Sequence, residues 1–382
     1  MNLSDLSSRH LVRQGGLLLG ATAPDADEAQ LRAWLASQGV LDGVVTHQIS
    51  YSAGTQIICQ LDPCYRIQHL PLHDTLSLHQ RWFKHRGQAL SLEQEILLAL
   101  LGAPRVLEFG SLAALQSQLR VRSHIAQAAA KTALAFKTQA AERPEAYWHY
   151  DEDHGFLLQP GCDLIEAIEA ATQPEATGRL YDFSCYRASE YVILLGLALE
   201  LRAHHPALYQ QLQHTCQQHA IRSGQFHDVF LIEYGTLQEP LPAHYYVPGD
   251  RLWFRNPDAR SSDIEGYEGS WVIYMGHGLF SNFWERERPF TLESKCVEIF
   301  HWRDGAHVGA DGDLAMDEAR VAQAVRGTQS DPAALQTALE RTMRLRDPQG
   351  VYAEGGCIDA TREFPRSVSV QGCQLVLPRF SH

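Results

Sequence analysis

A helix that is apolar on every side leaves a chain few ways to fold, and one is written between Cys185 and Leu199. It starts near Cys185 and runs through Tyr191-Val192-Ile193-Leu194-Leu195-Gly196-Leu197-Ala198-Leu199. With no face to turn toward water, such a helix belongs in the middle of a core with other elements packed around it. The apolar stretches Tyr191 to Leu201 and Ile96 to Leu101 fall well short of the roughly 20 residues a membrane span needs, so no membrane partner is expected. At 382 residues and 45% hydrophobic content the chain can bury a core of that kind. Its net charge of -13 sets a general binder of nucleic acid or anionic lipid against its own field. Residues 1–23 place Arg13 before Leu17-Leu18-Leu19, but Asp5 and the glycines break a secretory pattern, and a cytoplasmic location is expected. Eight cysteines with no Cys-x-x-Cys pair are too sparse for a disulfide scaffold and read mostly as reduced, buried thiols.

Caps and periodicity place the other elements. Asp25 and Glu28 resemble a capping box for a helix carrying Leu31, Trp34 and Leu35, closed by Gly39. Val44 to Leu61 alternates as strands do, and Ser91 with Gln94 caps a helix from Leu92 to Leu101. Residues 1–103 therefore read as an appended α+β module. Leu115, Leu119, Ala126, Ala129, Ala130, Ala133 and Phe136 keep helical spacing from Leu112 onward, predicting a long amphipathic helix. Strands are predicted at Val229 to Tyr234, Arg251 to Arg255, Ser270 to Met275 and Cys296 to Trp302. Asp331-Pro332 opens a last helix toward Arg344, and residues 346–382 read as an irregular or weakly stranded extension. Residues 104–345 then read as a second, larger domain.

A buried helix with a cysteine in its first turn, followed by strands, has a chemical use. The helix N-terminus carries about half a positive charge and free N–H donors, which favour thiolate over thiol and can meet an oxyanion. Cys185 is the nucleophile candidate, against the alternative of a buried structural thiol. A thiol nucleophile needs a base and an orienting group from neighbouring strands. Glu268 precedes the strand Ser270 to Met275, and His277-Gly278 makes a two-residue hairpin turn into Leu279-Phe280-Ser281-Asn282-Phe283. Asn282 then returns toward the entry of the preceding strand. Cys59 and Cys64 near His69 and His73 have irregular spacing, so neither metal nor cofactor is expected.

Residues 107–302 are similar to the bacterial protein-glutamine gamma-glutamyltransferase family known from spore coats, a papain-like group that joins Gln and Lys side chains. The segments that carry the resemblance are Leu119-Arg120-Val121-Arg122 through Ala128-Ala129-Ala130-Lys131; Tyr147-Trp148; Phe183-Ser184-Cys185; Gly249-Asp250-Arg251-Leu252-Trp253-Phe254-Arg255-Asn256-Pro257; and Gly269 to Gly276. The Gly-Asp strand and the hairpin also resemble the cell-wall peptidase branch of papain-like folds. The resemblance implies an α+β, papain-like cysteine transferase core, with the nucleophile at the N-terminus of a buried helix packed on an antiparallel sheet. By position, Cys185 falls on the family's nucleophile. The family's two Glu positions fall on Ser184 and Ser270, and a bulge would let Glu268 serve instead. The family's His falls on Asn282, or on His277 in the alternative match, where His277 is otherwise a plain turn residue. Trp253 and Trp271 would wall an acyl channel, unless they are core packing. The implied reaction joins a Gln carboxamide to a Lys amine on protein substrates, through a Cys185 thioester with loss of ammonia. Two alternatives stand beside it: an amidase or deamidase with water as acceptor, and an inactive papain-like binding protein, suggested by the loss of both Glu positions.

Overall fold

The computed structural model describes residues 14–51, 54–136, 141–220, 223–310, 312–346 and 355–378. Residues 1–13 of the N-terminal segment, and 347–354 and 379–382 of the C-terminal one, lie outside the described residues. The described chain is a mixed α+β structure with one four-stranded sheet, one five-stranded sheet and three small strand pairs. No helix among the described residues is long and apolar enough to cross a membrane.

The first sheet has the order β2-β3-β1-β4, built from β1 (Leu17–Ala21), β2 (Val44–Tyr51), β3 (Gly54–Leu61) and β4 (Leu107–Phe109). Leu17-Leu18-Leu19 is buried on both faces. Leu17 and Leu19 join the large cluster of the N-terminal half, and Leu18 meets Ile49 and Ile58 behind the sheet. The capping box expected at Asp25 and Glu28 does not form. Helix Pro24–Ser37 is opened by Ala23 and Pro24, and the Asp27 carboxylate takes the Thr22 and Ala23 N–H groups at 2.8 and 2.9 Å. Glu28 instead accepts from Gln48 on β2 at 2.9 Å and from Thr46 at 2.5 Å. The Ser91–Gln94 box is present and starts helix Leu92–Leu101, buried from Glu95 to Leu101. The cluster around this helix continues through Leu115, Leu119, Tyr245, Val247 and Phe364, so residues 17–103 share apolar contacts with later elements.

The core helix spans Cys185–His204 and is packed on the long helix Leu112–Lys131, on helix Leu164–Thr172 and on the second sheet. Gly196 permits this closeness, since a Cβ there would lie 2.4 Å from the Ile125 Cγ1 of the long helix. Arg120 adds a bidentate pair to Glu200 at 2.9 and 2.7 Å. Ahead of the core helix lie the parallel pair β5 (Ala135–Phe136) and β8 (Asp182–Phe183), and the hairpin β6 (Trp148–Asp151) and β7 (Gly155–Leu158).

The second sheet is antiparallel with the order β12-β11-β10-β15-β9. Its strands are β9 (Leu231–Tyr234), β10 (Arg251–Arg255), β11 (Gly269–Gly276), β12 (Leu279–Phe280) and β15 (Arg362–Pro365). β15 comes from the segment that the sequence sets apart as 346–382. It lies between β10 and β9, with Glu363 opposite Arg251 and ion-paired to it. The hairpin turn at His277-Gly278 is present, with φ of 55° and 75°, the left-handed pair that a two-residue turn requires. Val229 and Phe230 end helix Ser223–Phe230, so β9 starts two residues later than the apolar run suggests.

Cys296 to Trp302 is not a strand. It lies within helix Leu292–Gly305, which opens on a Thr291–Ser294 capping box. Leu292, Cys296, Ile299 and Trp302 recur at helical spacing, and a short apolar run alone does not separate the two periods. The hairpin β13 (Ala306–Val308) and β14 (Leu314–Met316) follows that helix, and helices Glu318–Ser330 and Pro332–Thr342 pack on it.

Candidate active site around Cys185

The chain reaches the site through β8, held beside β5 in parallel register. Phe183 is fully buried, with the Arg143 guanidinium 3.3 Å from its ring centroid, and fixes the strand's end. Ser184 then caps the helix, its hydroxyl accepting the Arg187 N–H at 3.3 Å, which makes Cys185 the first helical residue. Cys185 as a residue is half-buried. Burial pushes its thiol above the ordinary value. The backbone N–H of Trp271, the cation of Lys295 and the N–H of Tyr186 pull it back down, while the nearby Glu268 carboxylate pushes it up further. Two N–H donors and one cation thus favour the thiolate, and burial and one carboxylate oppose it.

The facing wall is the start of β11. Trp271 pairs with Trp253 across β10 and β11, the rings 5.6 Å apart and 6° from parallel. Tyr186, next to the nucleophile candidate, meets Trp271 edge-on at 5.1 Å, and the Arg251 guanidinium lies 4.7 Å from the Trp271 ring centroid. Both tryptophans are half-buried. Gly269 makes room for them, because a Cβ there would lie 2.0 Å from the Trp253 Nε1.

The structure thus brings Cys185, Glu268, Trp253 and Trp271 to one end of the second sheet. Glu268 sits just before β11, exposed, with its carboxylate accepting the Gly266 N–H at 3.1 Å. Ser270 faces Phe254 on β10. Asn282 returns alongside β11 as the hairpin requires, since the Ser281 N–H donates to the Ile273 carbonyl at 2.9 Å. Its side chain is engaged locally, donating to the Arg288 carbonyl at 3.0 Å and accepting the Glu285 N–H at 3.2 Å. His277 lies at the far end of β11, roughly 20 Å from Trp271 at about 3.3 Å per residue. There its backbone N–H donates to the buried Glu95 carboxylate at 2.9 Å, and its Nε2 lies 3.1 Å from the Leu90 carbonyl. His277 is placed as a turn residue.

The sequence reading missed Lys295. It is buried on helix Leu292–Gly305, its ammonium 3.7 Å from the Phe290 ring centroid and 3.3 Å from Glu298. A helical reading of that run would have found it, because Lys295 falls on the buried stripe with Leu292, Ile299 and Trp302. The opposite stripe of the core helix lines a cavity of about 450 Å³, with Arg143, Trp148, Arg187, Glu190 and Tyr191 in its wall. Burial pushes the Glu190 carboxyl up to about 7, against the Arg187 guanidinium 2.6 Å away. This cavity does not include Cys185. Among the described residues no group of three or more His, Cys, Asp and Glu side chains is arranged to hold a metal ion. Of the loosely spaced cysteines and histidines, Cys59 is buried in β3, Cys64 is exposed, and His73 Nδ1 lies 2.8 Å from the Gly102 carbonyl.

The model of the protein-glutamine gamma-glutamyltransferase family matches residues 74–350, well over half of the chain. Among solved structures, a transglutaminase from Geobacillus stearothermophilus, without its C-terminal extension, is 20% identical with a TM-score of 0.40. That match covers 56% of this chain and 97% of the other. No curated protein matches at a significant level. The matched segment contains the core helix with Cys185 at its start, both paired tryptophans and the whole β10–β12 unit, and the chain belongs to the protein-glutamine gamma-glutamyltransferase family.

Proposed function

We propose that the protein forms isopeptide cross-links between Gln and Lys side chains of protein substrates, with Cys185 as nucleophile on a papain-like core. The observation that carries this reading is the position of the Cys185 sulfur. It lies at the first turn of a buried helix, facing the Trp271 and Tyr186 N–H groups, inside the segment matched by the family model. The thiolate attacks the γ-carboxamide carbon of a substrate glutamine, the C–N bond breaks, and ammonia leaves with the thiol proton. A lysine amine then attacks the thioester, the C–S bond breaks, and the thiol is regenerated. Lys295 favours the thiolate, and Glu268 moves protons between the attacking and leaving groups at the rim. Trp253 and Trp271 flank the acyl chain and limit water. Asn282 shapes the loop across from β11 and does not touch the reacting atoms, and His277 stands outside the reaction.

A second reading, amide hydrolysis by the same thioester, is favoured by the exposure of Glu268 and by the serines at 184 and 270, which leave a polar rim open to water. Incorporation of a fluorescent primary amine into a glutamine-rich protein, with ammonia followed in parallel, tests both. Cross-linking predicts incorporation and ammonia in step, both lost in Cys185→Ala. Ammonia without incorporation selects hydrolysis. Neither product over a range of substrates and pH overturns both in favour of an inactive binding protein.

A further inference from the structure

Two cysteines far apart in sequence meet in the core. Cys296 lies on the buried side of helix Leu292–Gly305, and Cys357 follows Gly355-Gly356 where the chain returns from the terminal helices. Both are fully buried, and their sulfurs are 3.3 Å apart. The Cys357 thiol also donates to the Thr342 carbonyl at 3.1 Å. The reduced pair therefore forms a short chain in which one thiol bonds the next and the second bonds the backbone.

Each partner is held from behind. The Cys357 N–H donates to the Thr342 carbonyl and its own carbonyl accepts the Arg255 N–H, both at 2.9 Å, while Ile358 bridges to Phe254. Cys296 is anchored by the helix around it. A disulfide needs its sulfurs about 2.05 Å apart, so closure asks for an approach of roughly 1.2 Å, within the reach of a side-chain adjustment. Burial and the neighbouring thiol push Cys296 well above the ordinary value, so reaction starts from a transient opening or during folding.

We propose that Cys296 and Cys357 are a dithiol–disulfide site, oxidised by a small-molecule disulfide. The oxidant's S–S bond is cleaved by one cysteine to give a mixed disulfide, and the second cysteine displaces the remaining half. One intramolecular S–S bond forms, and two small thiols carry away both protons. The bond closes a span of 61 residues and ties the helix that carries Lys295 to the segment paired with β10, the strand of Trp253. The inference rests on this packing and is independent of the role of Cys185. Where the thiol pool is reducing the pair stays as thiols, and in an oxidising setting it closes.

The full chain is equilibrated in glutathione buffers of rising oxidised fraction, both as native protein and during refolding from urea, so that burial does not keep the oxidant out. Acid quench, alkylation in denaturant and digestion without reduction are followed by mass spectrometry. The expected result is one cross-linked pair of peptides holding Cys296 and Cys357, with Cys185 alkylated, and a Tm about 5–10 °C above the reduced form. Cys296→Ala and Cys357→Ala should each lose both the linkage and the Tm increment. Full alkylation of both cysteines in both regimes, or a linkage that excludes one of them, overturns the proposal.

Discussion

Cys185 titrates among opposing influences, and each makes a separate prediction. Burial and the Glu268 carboxylate raise its pKa, while the Trp271 and Tyr186 N–H groups and Lys295 lower it. Since the thiolate is the reactive form, alkylation of Cys185 should rise into the alkaline range. Lys295→Met should move the midpoint higher, because a cation is lost. Glu268→Gln should move it lower while slowing amine incorporation about 10²-fold or more, if the carboxylate relays protons. Stopped-flow alkylation against pH, beside steady-state turnover, separates these effects. A Glu268→Gln variant with full turnover would leave that carboxylate as surface charge. Glu190 makes a stability prediction. Its folded pKa, about 7, lies above the ordinary 4.5, so its contribution is complete below pH 4.5 and is lost as pH rises through 7. Glu190→Gln should remove about 2.5 kcal/mol of that pH dependence, read as the difference between the two proteins' unfolding curves at pH 5 and pH 8.

Among the elements, the core helix is the most legible in the sequence and the most consequential for the site. Its all-round apolarity and the Ser-Cys start fixed its burial and the place of Cys185. Gly196 then sets how close the long helix comes. Gly196→Ala puts a methyl 2.4 Å from the Ile125 Cγ1 and 2.9 Å from its backbone N, and should cost about 1–3 kcal/mol by chemical denaturation. An unchanged midpoint would mean that the two helices separate freely. Other elements were less legible for particular reasons. Residues 296–302 satisfy both periods over so short a run, and only the Thr291 cap separates helix from strand. Leu17-Leu18-Leu19 lacks alternation because β1 is covered on both faces. The Asp25 and Glu28 pattern fits a cap, but Pro24 starts that helix and β2 claims Glu28. The pairing of β10 with β15, by contrast, depends on a contact across more than a hundred residues that no local pattern encodes.

At the scale of the whole molecule, the β10–β11 end of the second sheet is held against the long helix by Arg122 and Asp250, both fully buried and 2.6 Å apart. Gly249, at φ 89°, permits this approach, since a Cβ there would lie 2.9 Å from the Arg122 Cα. Arg122→Ala leaves the Asp250 carboxylate unpaired in the core and should cost about 3–5 kcal/mol, a fall in Tm checked by calorimetry. A change near zero would mean that water reaches Asp250. The candidate site was only partly readable at this scale. Cys185 and the Trp253–Trp271 wall follow from local pattern, whereas Lys295 arrives from a helix more than a hundred residues downstream, and His277 is removed by the length of β11. Acyl transfer at this site requires an acyl-enzyme on Cys185, which can be trapped. The protein is mixed with a glutamine peptide in the absence of amine, quenched in acid, digested and examined by mass spectrometry. The peptide, less one ammonia, should be found on Cys185. A product that forms with Cys185 unmodified, or that forms equally in Cys185→Ala, would contradict it.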